Sequence, residues 1–322
     1  MLVCALDLGF REDTVALQGH VWKIAHSVQG WLGLDAQLPE DCEIVFEGRC
    51  EALEVLLAHR ALYSLDPARS AKLRKALREN KDDRNDALDL AGLFQVFGNQ
   101  FKRIMPMGQD VLNLRRSVRM RRTLVQQQTQ LLQMLQQENP RLAKQKEAQW
   151  LESFKDSLHM SLVNVLETVR KEIRRMEALL EEQIARVPAC MLLRSIKGMG
   201  LVLSAEIVAE LQGLKSLGAC SQVRAYAGTA PVTLASGKHR AVYTRRRCNH
   251  RARNALYLFA FTSLRHHAWA RRFYDAGRSR GKHHSAALIA LANRWLAVLV
   301  AMVKHQQPYD SVRKEHTLCT AA

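Results

Sequence analysis

No Asp or Glu occurs between residues 211 and 274, although Lys and Arg recur throughout that stretch. A surface built from such a segment cannot neutralise itself, and it favours a polyanion as partner. Cysteine is present but unclustered. Seven are scattered along the chain (Cys4, Cys42, Cys50, Cys190, Cys220, Cys248, Cys319), an odd number with no CxxC pair. That suggests neither a disulfide framework nor a zinc ribbon, and it points to reduced, mostly structural thiols. Cys248-Asn249-His250 is a fragment of a ligand set that lacks partners, so a spectator role is expected. There is no unbroken apolar leader either, because Asp7 interrupts MLVCAL and no secretory signal is expected. The apolar run AALIALANRWLAVLVAMV approaches bilayer length, yet it carries Asn293 and Arg294 at its middle. A buried core helix is expected there rather than a membrane span, in a soluble, cytoplasmic protein.

What the chain does have is length and positive charge. Its 322 residues suffice for two domains with real cores. Lys and Arg total 48 against 31 Asp and Glu, a formal charge of +17 with a pI near 9.9. An excess of that size favours phosphate contacts with counterion release. With 48% apolar residues, a wholly disordered basic protein is excluded.

Three regions emerge along the chain. In residues 1–107, the runs LVCALDL, TVALQ and HVWKIAHSV read as strands, with Gly19 marking a hairpin or meander. CEIVFEG then reads as a strand, ALEVLLAHR as a helix and ALYSLDP as a strand closed by Pro67, which together describe a compact α/β domain. Residues 108–187 turn to Gln, Glu, Arg and Leu with almost no Gly. Apolar positions Phe154, Leu158, Leu162, Val165, Val169, Ile173, Met176, Leu180, Ile184 and Val187 suggest an 11-residue period on one helix stripe. Asn139-Pro140 divides the region into two long helices, expected as an antiparallel pair or an inter-subunit coiled coil. Residues 188–322 form a mainly helical third region that begins helix, Gly198-Met199-Gly200, helix. Such a turn is either a tight connection or, with Lys197 beside it, a phosphate site at free backbone N–H groups.

Four carboxylates stand out in this basic chain. Asp7 ends the first strand and Glu47 a later one, while Asp83 and Asp86 are three apart at a helix start and share a face. Taken singly, an Asp at a helix N-terminus is favoured by capping and by the dipole. Taken together, hard oxygen ligands from separate elements suit two-metal phosphodiester chemistry, with ions about 3.5–4 Å apart.

At these residues a resemblance enters. ALDLG, VFEG, LDPARSAKLRK and KDDRNDALDLA resemble the RuvC-like DEDD domain of a group of insertion-sequence transposases. That group includes the Piv-type DNA invertases and the bridge-RNA-guided recombinases. SIKGMGLVLSAEIVAEL, AYAGTAPV, ASGKHR and NHRARNALY resemble its C-terminal transposase domain, in the same order. The resemblance implies an RNase H-like domain, a coiled-coil insertion and a C-terminal domain with a catalytic serine. It makes Asp7, Glu47, Asp83 and Asp86 the ligands of Mg²⁺ or Mn²⁺, and Ser236 the nucleophile. It further implies action on DNA as a recombinase, a structured noncoding guide RNA, a homo-oligomer (dimer or tetramer) and a nucleoid-associated location. The chain departs from the group's pattern in having Glu47-Gly48-Arg49-Cys50, and AVYTRRRCNHR after the serine.

Read on its own, Ser236-Gly237 is an ordinary turn in a small-residue loop. The neighbouring bases Lys238, His239, Arg240, Arg245, Arg246, Arg247, Arg251 and Arg253 are expected to form a phosphate-binding surface, since arginine suits bidentate phosphate contact. Tyr226, Tyr243 and Tyr257 are either core residues or stacking platforms for bases. Two rivals stand beside the recombinase reading: a water-using metal nuclease or Holliday-junction resolvase, and a domesticated, non-catalytic nucleic-acid-binding protein.

Overall fold

The computed structural model describes residues 2–77, 83–104, 107–138, 159–212, 214, 220–236 and 239–310. They divide into two compact units, Met1–Gly108 and Gln109–Ala322.

The first unit is a six-stranded sheet with helices on both faces. Its strands are β1 (Val3–Asp7), β2 (Glu12–Leu17), β3 (His20–Ala25), β4 (Glu43–Glu47), β5 (Leu62–Leu65) and β6 (Lys102–Arg103), in spatial order 3-2-1-4-5-6. β1, β4 and β5 run parallel, and the others pair antiparallel. The expected hairpin forms about Gly19, whose φ of +85° is open to glycine.

Side-chain alternation sorts the sheet's two faces. Cys4, Leu6, Ile44 and Phe46 pack with Trp31, Leu34 and Leu53 of the helices α1 (Val28–Gln37) and α2 (Glu51–Leu56). Val3, Ala5 and Val45 pack with Ala87, Leu90 and Phe94 of α4 (Asp83–Phe97), which follows α3 (Pro67–Leu77). By the same alternation the next odd positions, Asp7 and Glu47, belong to the α4 face. Helix α1 had no counterpart in the sequence reading. Gly30 and Gly33 disguise it, but Gly30 is needed because a Cβ there would lie 2.1 Å from the Ala25 carbonyl.

The second unit is helical apart from one hairpin. Two long helices, α5 (Gln109–Glu138) and α6 (Met160–Ala185), form an antiparallel pair. Leu135 meets Val163 and Leu166 at one end, whereas Leu114 and Val118 join Leu180, Ile184 and Val187 at the other. The expected 11-residue stripe does not hold. Val165 is half-exposed, and the buried positions are Val163, Leu166, Ile173, Leu180 and Ile184, a seven-residue repeat. Arg170 and Glu177 occupy the remaining seam positions, which hid the period. Arg121 answers Glu177 across the pair at 2.6 Å. Asn139, Pro140, Phe154 and Leu158 lie outside the described residues.

The rest of this unit packs α7 (Pro188–Arg194), α8 (Leu201–Glu210), α9 (Cys220–Tyr226), α10 (His250–Ser263), α11 (Ala268–Ser279) and α12 (His284–His305) into one core. Among the described residues α12 alone is long and apolar enough to cross a membrane. It instead buries Trp295, Leu296 and Leu299 in that core. Its two mid-helix polar residues are used: Asn293 accepts a hydrogen bond from Thr229 (3.0 Å), and Arg294 lies over the Phe273 ring.

Candidate active site

The loop after β1 is fixed from below. Asp13 of β2 is fully buried, and its carboxylate accepts from the Gly9 N–H (3.0 Å) and the Trp31 indole (2.7 Å) while pairing with His26 Nδ1 (2.6 Å). Gly9 is required at this turn, since a Cβ would lie 2.1 Å from the Glu12 carbonyl. These contacts hold the chain where it leaves Asp7, the last residue of β1. Asp7 is half-buried rather than sunk in the strand interior.

Glu47 ends the neighbouring parallel strand, one residue beyond the Leu6–Phe46 pair, so Asp7 and Glu47 terminate adjacent strands about 4.8 Å apart. The third acid comes from α4. Asp86 precedes the sheet-facing Ala87 by one residue and is buried. Asp83 begins the same helix one turn earlier, and its side chain is outside the described set.

Glu47 and Asp86 are brought together by a residue that the sequence reading assigned no role. Arg74, on the last turn of α3, donates from Nη2 to Glu47 Oε2 at 2.9 Å and reaches Asp86 Oδ2 from Nη1 at 3.0 Å. One guanidinium therefore stands between two carboxylates. The signal was weak, because Arg74 lies among other bases in ARSAKLRK and its pairing crosses from one helix to a strand and another helix.

Among the described residues, no group of three or more His, Cys, Asp or Glu side chains is gathered closely enough to hold a metal ion. The donor chemistry nonetheless fits a hard divalent cation. Two carboxylates already share one cation, a third ends the adjacent strand, and thiol or imidazole ligands are not among them. The Gly48-Arg49-Cys50 departure is explained locally. The Arg49 guanidinium forms a two-pronged pair with Glu54, which also accepts from the Cys50 N–H (3.2 Å) and so caps α2.

In the second unit Ser236 is not in a loop. It is the last residue of β7 (Val232–Ser236), opposite His239 of β8 (His239–Tyr243), so it stands at the tip of a hairpin. Its side chain, those of His239 and Arg240, and all of Gly237 and Lys238 fall outside the described set. Arg246, Arg247 and Arg251 are exposed, whereas Arg245 and Arg253 are half-buried. Arg253 donates to the Arg245 carbonyl (3.1 Å) and contacts His250 Nδ1 (2.8 Å). Cys248 Sγ approaches the Arg245 carbonyl and His250, with no further metal donor among the described residues.

Several motif residues here turn out to hold the fold. Gly198 has φ +91°, and a Cβ would lie 2.5 Å from the His266 ring; Gly200 is the N-cap of α8, and Lys197 is exposed. Gly228 (φ +68°) lets the chain pass Cys248, whose Sγ would be 2.4 Å from a Cβ. Tyr226 and Tyr257 pack partly buried against the core, and Tyr243 is exposed.

Asn249 caps α10, accepting from the N–H groups of Arg251 and Ala252 at 3.1 Å. Its Nδ2 donates to Glu210 Oε2 (3.0 Å). Glu210 is itself clasped by Arg119 at 2.8 and 3.0 Å, with Arg115 at 3.8 Å. Burial pushes the Glu210 carboxyl up. The hydrogen bonds from Arg119 and Asn249 and the charges of Arg119 and Arg115 outweigh it and hold the group below the usual range. Sequence reading passed over Glu210 because an acid near a helix end is unremarkable.

Residues 190–275 match the family described as "Transposase IS116/IS110/IS902 family". The chain is 35% identical, over 140 residues, to an uncharacterized 42 kDa protein of insertion element IS900 from Mycobacterium paratuberculosis; the match covers 43% of this chain and 35% of that protein. It is 30% identical over 152 residues to the uncharacterized 43.6 kDa protein of IS110 from Streptomyces coelicolor, covering 47% and 38%. It is 35% identical over 132 residues (41% and 32%) to a mini-circle protein of the same organism, named provisionally as the transposase for IS117. The chain thus spans about a third of the length of the curated relatives it matches.

Proposed function

We propose that the protein is a DNA transposase or recombinase of the insertion-sequence kind, with its acidic site in the sheet unit and Ser236 as nucleophile. The observation that carries the reading is the meeting of strand-end Glu47 with helix-borne Asp86 beside Asp7, in a chain whose 190–275 segment matches a transposase family. The strand order 3-2-1-4-5, with three parallel central strands, supports an RNase H-like assignment for that unit.

Asp7, Glu47, Asp83 and Asp86 would hold Mg²⁺ or Mn²⁺, and such ions supply charge stabilisation for the attacking and leaving oxygens of a phosphodiester. Ser236 Oγ bonds to phosphorus and gives up its proton, the bond from phosphorus to the sugar oxygen breaks, and that oxygen leaves as a hydroxyl carrying a proton in exchange. The energy of the broken bond is kept in the serine–phosphate ester, so strands can be rejoined without a high-energy cofactor. Placement at a hairpin tip supports this role, because a tip can reach a duplex backbone. The exposed Arg246, Arg247 and Arg251, with Lys197, Lys238 and Arg240, would contact phosphates, alongside Gly198 and Gly200, whose first assignment is structural. Half-buried Arg245 and Arg253 belong to the same face. A guide RNA, a dimer or tetramer, and work at the cytoplasmic nucleoid complete the proposal.

The test is a covalent adduct. Incubation with donor and target DNA, any required RNA and Mg²⁺ should attach DNA to the peptide containing Ser236. Ser236→Ala should lose adduct and recombination together while complex assembly persists. Normal recombination by the alanine variant would favour the water-using nuclease, and DNA binding without any divalent-dependent strand cleavage would favour the non-catalytic binding protein.

A further inference from the structure

Arg74 contacts Glu47 Oε2 and Asp86 Oδ2, the oxygens that a hard cation at this site would need. Its side chain is 16% exposed, and its Nε is buried with no hydrogen-bond partner. That is a costly seat for an arginine whose only task is to pin α3 to α4, since a buried donor left unmet loses its hydration without return. A divalent ion and a guanidinium cannot both be close to these carboxylates without strong repulsion.

We propose that Arg74 is a built-in competitor for the divalent ion: it neutralises Glu47 and Asp86 when no metal is bound, and metal loading must displace it. The inference rests on the metal-site reading above. It makes the site self-limiting, because two neighbouring carboxylates are never left mutually repelling, and metal binds only by exchange of one cation for another.

Two measurements on the full-length protein test it. In calorimetric titration with Mn²⁺, Arg74→Gln keeps most of the packing volume but not the charge, and should bind at least about tenfold tighter than wild type, with Arg74→Lys, which keeps the charge but loses the two-pronged fork, in between. In wild-type protein, labelling with phenylglyoxal followed by peptide mass spectrometry should find Arg74 protected without metal and reactive with saturating Mn²⁺. The labelling stands even if Arg74→Gln fails to fold. Equal or weaker Mn²⁺ binding by Arg74→Gln, or labelling of Arg74 that does not rise with Mn²⁺, overturns the proposal while leaving the metal site standing. Absence of Mn²⁺ binding in wild type and variants alike removes the metal site and the proposal together.

Discussion

A carboxylate–arginine cluster in the sheet unit can be set against one in the helical unit, and the two have opposite stoichiometry. In the sheet unit two carboxylates, Glu47 and Asp86, share the guanidinium of Arg74. In the helical unit one carboxylate, Glu210, is clasped by Arg119 and Asn249 with Arg115 nearby. The first cluster has two carboxylates against one guanidinium, so its negative charge is only partly balanced. The second has more donors than it needs, and it ties α5, α8 and α10 into one core. Burial does not separate the two clusters, since Asp86 and Glu210 are both buried; the balance of charge is what differs.

Substitutions should separate the two clusters. The largest effect expected is on chemistry: Asp86→Asn should abolish divalent-dependent DNA cleavage yet leave DNA affinity nearly unchanged, because an amide is a poor Mg²⁺ ligand and phosphate contacts lie elsewhere. Cleavage at the wild-type rate would take Asp86 out of the site. Next comes stability. Glu210→Ala leaves two arginines without their anion and should cost about 3–5 kcal/mol in denaturant unfolding, with no response to Mg²⁺. A loss under about 1 kcal/mol would mean that Glu210 braces nothing.

The same residue predicts a pH dependence. Its folded-state pKa lies below the ordinary value of 4.5, so its contribution is fully present above that value and disappears as pH falls through the lower, folded one. Stability measured from pH 6 down to pH 3 should therefore decline more steeply in wild type than in Glu210→Gln. Parallel curves would contradict the linkage. The smallest effect expected is that of Asn249→Ala, which removes the α10 cap and one donor to Glu210, at about 1–2 kcal/mol by thermal or chemical unfolding.

The acid face of the sheet was legible in the sequence because strand alternation and the helical i, i+3 spacing are local rules. Asp7, Glu47 and Asp86 could be placed from them without knowing the fold. Arg74 was not legible, since its two partners lie 27 and 12 residues away in other elements. The α5–α6 pair was expected, but its seam was read with the wrong period, because Arg170 and Glu177 fill positions where an apolar residue was sought. Ser236 was read as a loop residue from its small neighbours, whereas backbone pairing with His239 makes it a strand end. Conversely, Gly228 and Asn249 stand inside the motif strings AYAGTAPV and NHRARNALY and serve the fold, which is visible only once Cys248 and Glu210 are seen beside them.

The central claim, that the cluster with spare carboxylates takes a divalent ion and the cluster with spare arginines does not, can be tested on the polypeptide itself. Fe²⁺ substituted for Mg²⁺ in the presence of ascorbate and peroxide cuts backbone next to the bound ion. The account predicts cuts near Asp7, Glu47 and the start of α4, suppressed by excess Mg²⁺ and lost in Asp86→Asn, with none around Glu210. Cuts centred on Glu210, or cuts near Glu47 that Mg²⁺ does not suppress, would contradict it.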